Sequence, residues 1–265
     1  MNGWTESGKW AIVRGGGDLA TGIIYRLWRA RYRVLCLETE RPMVVRRTVS
    51  VAQALFEGRH EIDGMEARAI QSIEEWKDFS AVAVLIDPEA KILSRMKPPL
   101  LVDAIMAKKN LGTYKEMASL VIAIGPGFSA PEDVHAVVET KRGHDLGRLI
   151  TKGSAAPNTG VPGMEMGYTV ERLLRAPCDG QFVPVCQIGD HVEAGQIVGS
   201  VHQEKVSAQI SGVVRGLIHP SVAVSKGMKI GDVDPRDERS HCFSITDKAL
   251  AIGGGVLEAI LSMAS

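Results

Sequence analysis

Three consecutive glycines and two acids carry the first chemistry in this sequence. Gly15, Gly16, Gly17, Asp18, Leu19 and Ala20 fit G-x-G-x-x-A, and Glu38 stands 23 residues beyond Gly15. Bare glycine backbone lets a phosphate approach, and the free N–H groups of a helix start attract anions. An acid at the end of the second strand would hydrogen-bond a ribose hydroxyl. The same residues also have a plain structural reading: the glycines form a tight turn and Asp18 caps a helix. Asp18 would in any case set a carboxylate beside a bound pyrophosphate. A second glycine loop, Gly125-Pro126-Gly127-Phe128, follows an apolar run. In an open α/β sheet, loops at carboxyl strand ends share one crevice, so this loop would face the first. Lys108, Lys109, Asn110 and Thr113 form a cluster that would hold phosphate or carboxylate, or else a solvated loop. Asp87 and Asp103 end two more apolar runs, without an evident catalytic partner.

Positioning these groups falls to a strand–turn–helix–strand unit. Residues 10–13 are an apolar run, and Asp18 opens a helix to about Arg29. Leu19, Ile23, Leu27 and Ala30 recur on one helical face. Residues 33–37 form the second strand, which makes a βαβ unit. Further buried strands are expected at 81–86, 100–102, 120–124 and 136–138. Segment 49–57 reads as helical, and 60–71, with Asp63-Gly64, as a hairpin. The tail reads as a glycine run, 253–255, before a helix that docks on the sheet.

After residue 150 the texture changes to glycine, proline and valine with short apolar runs. Segment 151–174 is a linker or ordered loop. Residues 176–201 repeat at 208–233, an offset of 32, with Ala, Gly and Val recurring at matched places. Matched glycines imply matched turns, and matched valines matched inward faces. One small sandwich or flattened barrel of two similar half-sheets is expected. Lys205 lies between the copies, an arrangement that resembles biotinyl and lipoyl carrier domains, although seven residues from Lys205 to Gly212 leave that hairpin short. A surface lysine on a carrier-like scaffold is the simpler reading. His241-Cys242 would bring a thiol near an imidazole, but a packed cysteine is simpler still.

The expected architecture is therefore α/β. It has an N-terminal Rossmann-like open sheet (1–150) and a C-terminal β-rich domain resembling a biotinyl/lipoyl-type hammerhead (175–235). A closing segment and helix (236–265) pack back on the first domain. With 265 residues, 45 % apolar and 23 % charged, the composition is that of a globular protein. Lys plus Arg and Asp plus Glu are both 31, so no global field favours nucleic acid or an anionic membrane. No apolar run approaches the roughly 18 residues of a membrane span. The opening residues lack an apolar signal core, so a cytoplasmic protein is expected. Four cysteines without a C-x-x-C pair exclude a disulfide framework and a structural zinc site as expectations.

Several long words resemble one family. They are residues 14–22 (RGGGDLATG), 102–113 (VDAIMAKKNLGT), 124–128 (IGPGF), 137–148 (VVETKRGHDLGR), 157–162 (PNTGVP), 230–236 (IGDVDPR) and 251–260 (AIGGGVLEAI). The chain resembles the YqeB family of the selenium-dependent molybdenum hydroxylase system over nearly its whole length. That resemblance implies an accessory role in maturing selenium-containing molybdenum hydroxylases, which would be its partners, and supplies no catalytic residue set. The leading expectation is a small nucleotide-type ligand such as a molybdopterin dinucleotide. Gly15, Gly16, Gly17, Asp18, Gly125, Gly127 and Lys109 would contact it, with Glu38 on a ribose. The β-rich part would close over the ligand or dock the client, and paired sheets could support a homo-oligomer. The alternatives are an NAD(P)-dependent oxidoreductase, for which no proton donor and base pair is evident, and a noncatalytic docking adaptor. Selenium transfer at Cys242 is a further idea resting on thiolate chemistry alone.

Overall fold

The computed structural model describes residues 9–160 and 163–263. Val161 and Pro162, the end of one family-like word, lie outside the described residues, as do the first eight residues. The first part is a nine-stranded mixed sheet. Its strands are β1 (Trp10–Arg14), β2 (Arg33–Glu38), β3 (Arg59–Ile62), β4 (Met65–Ile70), β5 (Val82–Ile86), β6 (Leu100–Asp103), β7 (Leu120–Ile124), β9 (Ala136–Val138) and β10 (Leu149–Ile150). The small strands β8 (Ser129–Ala130) and β11 (Gly153–Ser154) pair with each other. The order across the sheet is β10-β9-β7-β6-β1-β2-β5-β4-β3. The seven inner strands run parallel and the two outermost antiparallel. β1 carries β2 on one side and β6 on the other, so the order of strands turns back at β1.

Alternation along each strand fills both faces of this sheet. Ala11, Val13, Val34 and Cys36 point to helices α1 (Asp18–Arg29) and α3 (Asp247–Met263), with the one-turn α2 (Ala54–Glu57) alongside. Ile12, Leu35, Leu37, Leu101 and Val121 point the other way, beneath loops and 3₁₀ turns that contribute Ile73, Trp76, Ile92 and Phe128.

α1 and α3 run side by side in the same direction, because Gly22 meets Ala249 while Arg26, a turn later, meets Gly253. A Cβ on Gly22 would come within 2.5 Å of the Ala249 backbone. A Cβ on Gly255 would run into the Gly147 carbonyl. The tail glycines therefore lie inside α3. The expected glycine turn before a helix is corrected: close approach to α1 and to residue 147 offsets a helix-propensity cost of about 1 kcal/mol per glycine.

The second part holds β12 (Leu173–Arg175), β13 (Gly180–Pro184), β14 (His191–Val192), β15 (Ile197–Val201), β16 (Glu204–Ser207), β17 (Gly212–Leu217), β18 (Ala223–Val224) and β19 (Lys229–Asp234). Two four-stranded antiparallel sheets form, β12-β19-β17-β14 and β16-β15-β13-β18. The repeat offset lays β13 on β17, β14 on β18 and β15 on β19. Each sheet takes strands from both copies, because β14 and β18 cross to the opposite sheet. Phe182, Val192, Val198, Val201, Val214, Ile230 and Val233 fill the core between them.

The expected Rossmann-like open sheet joined to a biotinyl/lipoyl-type hammerhead is corrected, and only the general α/β class stands. The large sheet is mixed, its long helices cover one face, and most of its crossovers are loops and 3₁₀ turns rather than helices. In the second part Lys205 is paired with Ser200 within β16, while His202 and Gln203 make the turn, so no lysine stands at a carrier-type hairpin tip. This unit is also fastened to the first. Arg47 Nε donates to the Leu217 carbonyl at 2.7 Å, the Thr48 hydroxyl donates to the Cys242 carbonyl, and Phe56 stacks on His219 with ring centroids 3.9 Å apart.

Candidate functional site

At the carboxyl ends of the parallel strands, where the order turns back at β1, the sheet leaves a crevice, the usual ligand position in such sheets. The β-rich unit and α3 wall it in. The cavity is about 660 Å³. Asp18 and Leu19 line it from the first turn of α1, and Thr246 and Lys248 from the start of α3. Arg46 follows β2, Met106 and Lys108 follow β6, Pro126 follows β7, and Thr140, Lys141 and Arg142 follow β9. Arg172 precedes β12, Arg215 lies in β17, and Lys229 and Asp232 lie in β19. Eight basic side chains thus face three acidic ones, Asp18, Glu165 and Asp232. In a chain with no net charge this concentration of one sign is a local field for anions.

Three arginines stand out for N–H groups that find no partner among the described residues. Arg172 is 7 % exposed, and its Nε and Nη1 are buried with no hydrogen-bond partner. Arg215 touches Asp234 through Nη1 at 3.2 Å, while its Nε is buried and unpartnered. Arg46 reaches Asp18 at 3.5 Å and donates Nη2 to the His241 carbonyl at 3.0 Å, again leaving Nε unpartnered. An unmet buried donor costs about 1–3 kcal/mol. Crowding shows in the protonation equilibria as well. Burial, then the charge of Arg46, pulls the Arg215 guanidinium below its ordinary value. Burial likewise lowers Lys248, against the pull of Asp18. Two helix N-termini add partial positive charge at the same mouth.

The walls are held by groups whose sequence setting says little. Glu139 is buried and accepts from the Thr140, Lys141 and Ala156 N–H groups, each at 2.7 Å, tying two walls of the cavity together. Met106 and Lys108 have φ of 61° and 63°, left-handed values that non-glycine residues adopt at a cost. Asn110 steadies this loop by accepting from the Gly112 and Thr113 N–H groups, both at 2.8 Å. Beneath it, buried Arg14 donates to Thr113 and to the Pro88 carbonyl, and lies 3.9 Å from Asp103. Burial raises the Asp103 carboxyl despite the Thr113 hydrogen bond and the Arg14 charge.

Of the residues singled out from the sequence, Asp18, Lys108 and Pro126 line the cavity, whereas Gly15, Gly16, Gly17, Glu38, Lys109, Gly125 and Gly127 do not. The first glycine turn is closed by the protein itself. Gly16 N–H donates to Glu38 Oε2 at 2.7 Å, and Glu38 Oε1 accepts from the Thr39 N–H at 2.7 Å. A Cβ on Gly15 would come within 2.8 Å of the Ala104 carbonyl, and one on Gly16 within 3.1 Å of Ala52 and Cys36. A dinucleotide pyrophosphate does not fit on Gly15 and Gly16, and Glu38 is turned to the backbone rather than to a ribose. A Cβ on Gly17 would make an ordinary contact with Val44, at 3.7 Å, but Gly17 is not among the lining residues. Gly125 and Gly127 carry φ of 71° and 113°. They let the second loop pack on Thr140 and on the Lys109 backbone.

Cys242 is 1 % exposed, its thiol directed at the Val214 carbonyl at 3.7 Å, and burial raises it above the ordinary thiol value. That geometry removes the basis for selenium transfer there. Asp87 accepts from the Lys91 and Ile92 N–H groups and fixes a 3₁₀ turn. Among the described residues no group of three or more His, Cys, Asp or Glu could hold a metal ion, and no helix is long and apolar enough to cross a membrane.

These features define an α/β protein with a cationic cleft between a large mixed sheet and a smaller β unit. Comparison with known proteins gives it a relative. The chain is 46 % identical over 255 residues to a protein named "Uncharacterized protein YqeB" from Escherichia coli K12. The match takes in 95 % of this chain and 47 % of the relative, so the chain spans about half the length of the curated relative it matches. The chain is a relative of YqeB. No family model matches it. Among solved structures, an aspartoacylase family protein from Mesorhizobium loti matches at 13 % identity and TM-score 0.26. A succinylglutamate desuccinylase/aspartoacylase from Rhodobacter sphaeroides matches at 14 % identity and TM-score 0.29. Each match spans 86 % of this chain and 85 % of the other.

Proposed function

We propose that this protein holds a multiply anionic, phosphate-bearing small molecule in the cleft, as an accessory factor in maturing selenium-dependent molybdenum hydroxylases. The carrying observation is the set of arginines with buried N–H groups that find no partner among the described residues, Arg172, Arg215 and Arg46, within a lining of eight basic and three acidic side chains. Guanidinium donors in a dry setting suit phosphate oxygens. A volume of about 660 Å³ lies in the usual range for a cofactor-sized ligand. The hydroxylase setting rests on the family resemblance of the sequence alone; kinship with YqeB supports the family and not the role. A molybdopterin dinucleotide is the ligand that joins that setting to phosphate chemistry. The β-rich unit closes over the ligand, since it supplies Arg172, Arg215, Lys229 and Asp232. An NAD(P)-dependent reaction gains no support, because Glu38 accepts from the Gly16 N–H and the Gly15 N–H donates to the Leu37 carbonyl.

Equilibrium binding by the folded chain tests this reading, with pyrophosphate, molybdopterin dinucleotide and NAD as ligands. Binding of the first two is expected, weakening as salt screens the cleft. Failure to bind any phosphate-bearing ligand overturns it.

A further inference from the structure

Of the three carboxylates in the cleft, two are engaged by arginine. Asp18 faces Arg46 and Glu165 faces Arg236, each at 3.5 Å. Asp232 differs. It is 5 % exposed, its buried Oδ1 has no hydrogen-bond partner among the described residues, and its Oδ2 lies 3.9 Å from Lys229 Nζ, beyond hydrogen-bond distance, with the Arg215 charge acting on it from the neighbouring strand. An ionised carboxylate only accepts, and leaving it unmet in a buried place is costly. Strand pairing sets Leu173 opposite Asp232, which brings this acceptor to the end of the strand pair where Arg172 sits. One wall therefore offers unmet donors and an unmet acceptor together. A ligand that satisfies both carries anionic oxygens at one place and N–H donors at another.

We infer that the cleft takes a phosphate-bearing ligand with a 2-amino-4-oxo ring edge, the chemistry shared by guanine and pterins. Asp232 accepts from the ring N–H and the exocyclic amine, while Arg172 and Arg215 hold the phosphate. Two adjacent donors match the two oxygens of one carboxylate. Adenine and cytosine offer an amine without a neighbouring ring N–H, and hypoxanthine offers the ring N–H without the amine. The inference rests on the reading of the cleft as a phosphate site, and its test separates the two.

Calorimetry on the full chain compares GDP, IDP, ADP and pyrophosphate, and dihydroneopterin triphosphate against inorganic triphosphate. One hydrogen bond to a charged group is worth about 1.5–3 kcal/mol, so losing the amine is expected to weaken binding roughly tenfold or more. GDP binding that much tighter than IDP and ADP supports the inference and assigns guanine. Dihydroneopterin triphosphate binding that much tighter than triphosphate supports it and assigns a pterin. Asp232→Asn is expected to bring the ratio of GDP to IDP affinity to near one, with urea unfolding as the check on its fold. Equal binding of GDP, IDP and ADP, with the pterin no better than triphosphate, overturns the inference. If pyrophosphate still binds in that case, the phosphate site stands. If pyrophosphate itself fails, the reading beneath falls as well.

Discussion

Arg172→Met separates a cleft built for an anion from a cleft that is merely basic. Arg172 Nε and Nη1 are buried without partners among the described residues. Each unmet donor costs about 1–3 kcal/mol, and replacing buried ionic groups by apolar ones of like size is often neutral or stabilising by about 1–4 kcal/mol. Methionine keeps much of the stem's packing and removes the charge. Part of the gain is lost to imperfect fit, which leaves an expected stabilisation of about 1–2 kcal/mol without ligand. At about 2–4 °C per kcal/mol for a chain of this size, Tm should rise by about 2–8 °C. With ligand the order reverses. Pyrophosphate at a hundred times its Kd adds about 2.7 kcal/mol to the wild type, and this gain should largely vanish in the variant. Urea and thermal unfolding followed by circular dichroism, each with and without pyrophosphate, measure both halves. A variant that is less stable without ligand and keeps the full pyrophosphate shift refutes the argument.

Other residues give further expectations. Glu38→Gln should lower stability by about 1–3 kcal/mol through the lost charge-assisted bond to Gly16 N–H, and leave pyrophosphate affinity unchanged by calorimetry. Gly22→Ala should destabilise by more than 1 kcal/mol, since its Cβ meets the Ala249 backbone, whereas Gly254→Ala, with open space in the same helix pair, should stabilise by up to about 1 kcal/mol; urea midpoints decide both. Arg142, chiefly by its hydrogen bonds, holds the Asp247 carboxyl down at about 2. The folded form then binds fewer protons than the unfolded one below the ordinary carboxylate range, so this pair's support is present above that range and lost as pH falls toward 2; Asp247→Asn should flatten the acid limb of stability against pH. Native thiol labelling should leave Cys36 and Cys242 unmodified, because burial raises both.

The sheet was legible because its inner strands are continuous apolar runs, buried on both faces, and its first helix has a clean apolar face. Residues 10–13, 33–37, 120–124 and the Asp63-Gly64 hairpin all lie where patterning put them. Periodicity does not report what covers a face, so nothing in it announced the loops and 3₁₀ turns opposite α1 and α3. The repeat was legible as matched glycines and valines, but the crossing of β14 and β18 between sheets is a tertiary fact. The cleft was least legible. Asp18, Lys108 and Pro126 could be approached from strand ends, and 137–148 and 230–236 contain Lys141, Arg142 and Asp232 among residues of other kinds. Arg172 ends a 3₁₀ turn before β12 and Arg215 lies in β17, each a lone arginine in a short segment. The one local sign is a charge at an otherwise apolar stretch, Val213-Val214-Arg215-Gly216-Leu217, where burial would demand a partner.

Glycine turns after a first strand are usually read through their amides, and here that reading fails for a definite reason. An acid at the end of β2 can either wait for a ribose or reach back to the turn. Glu38 reaches back, satisfying the Gly16 and Thr39 N–H groups, and Ala52 closes over the turn from the segment leading into α2. The anion field therefore has to be built elsewhere, from side chains. Arg46 lies in sequence well before Arg172, Arg215 and Lys248, so no short segment can carry the cleft alone. It exists only while the β unit is seated on the sheet through Arg47, Thr48 and Phe56. A ligand that bridges Arg46 to Arg172 and Arg215 would in turn hold that seating, because it removes the repulsion that opposes it. Phe56→Ala tests the coupling. Loss of the His219 stack should loosen the seating and weaken pyrophosphate binding, although Phe56 is not among the residues lining the cavity. Unchanged affinity in a folded Phe56→Ala protein would show that the cleft forms without it.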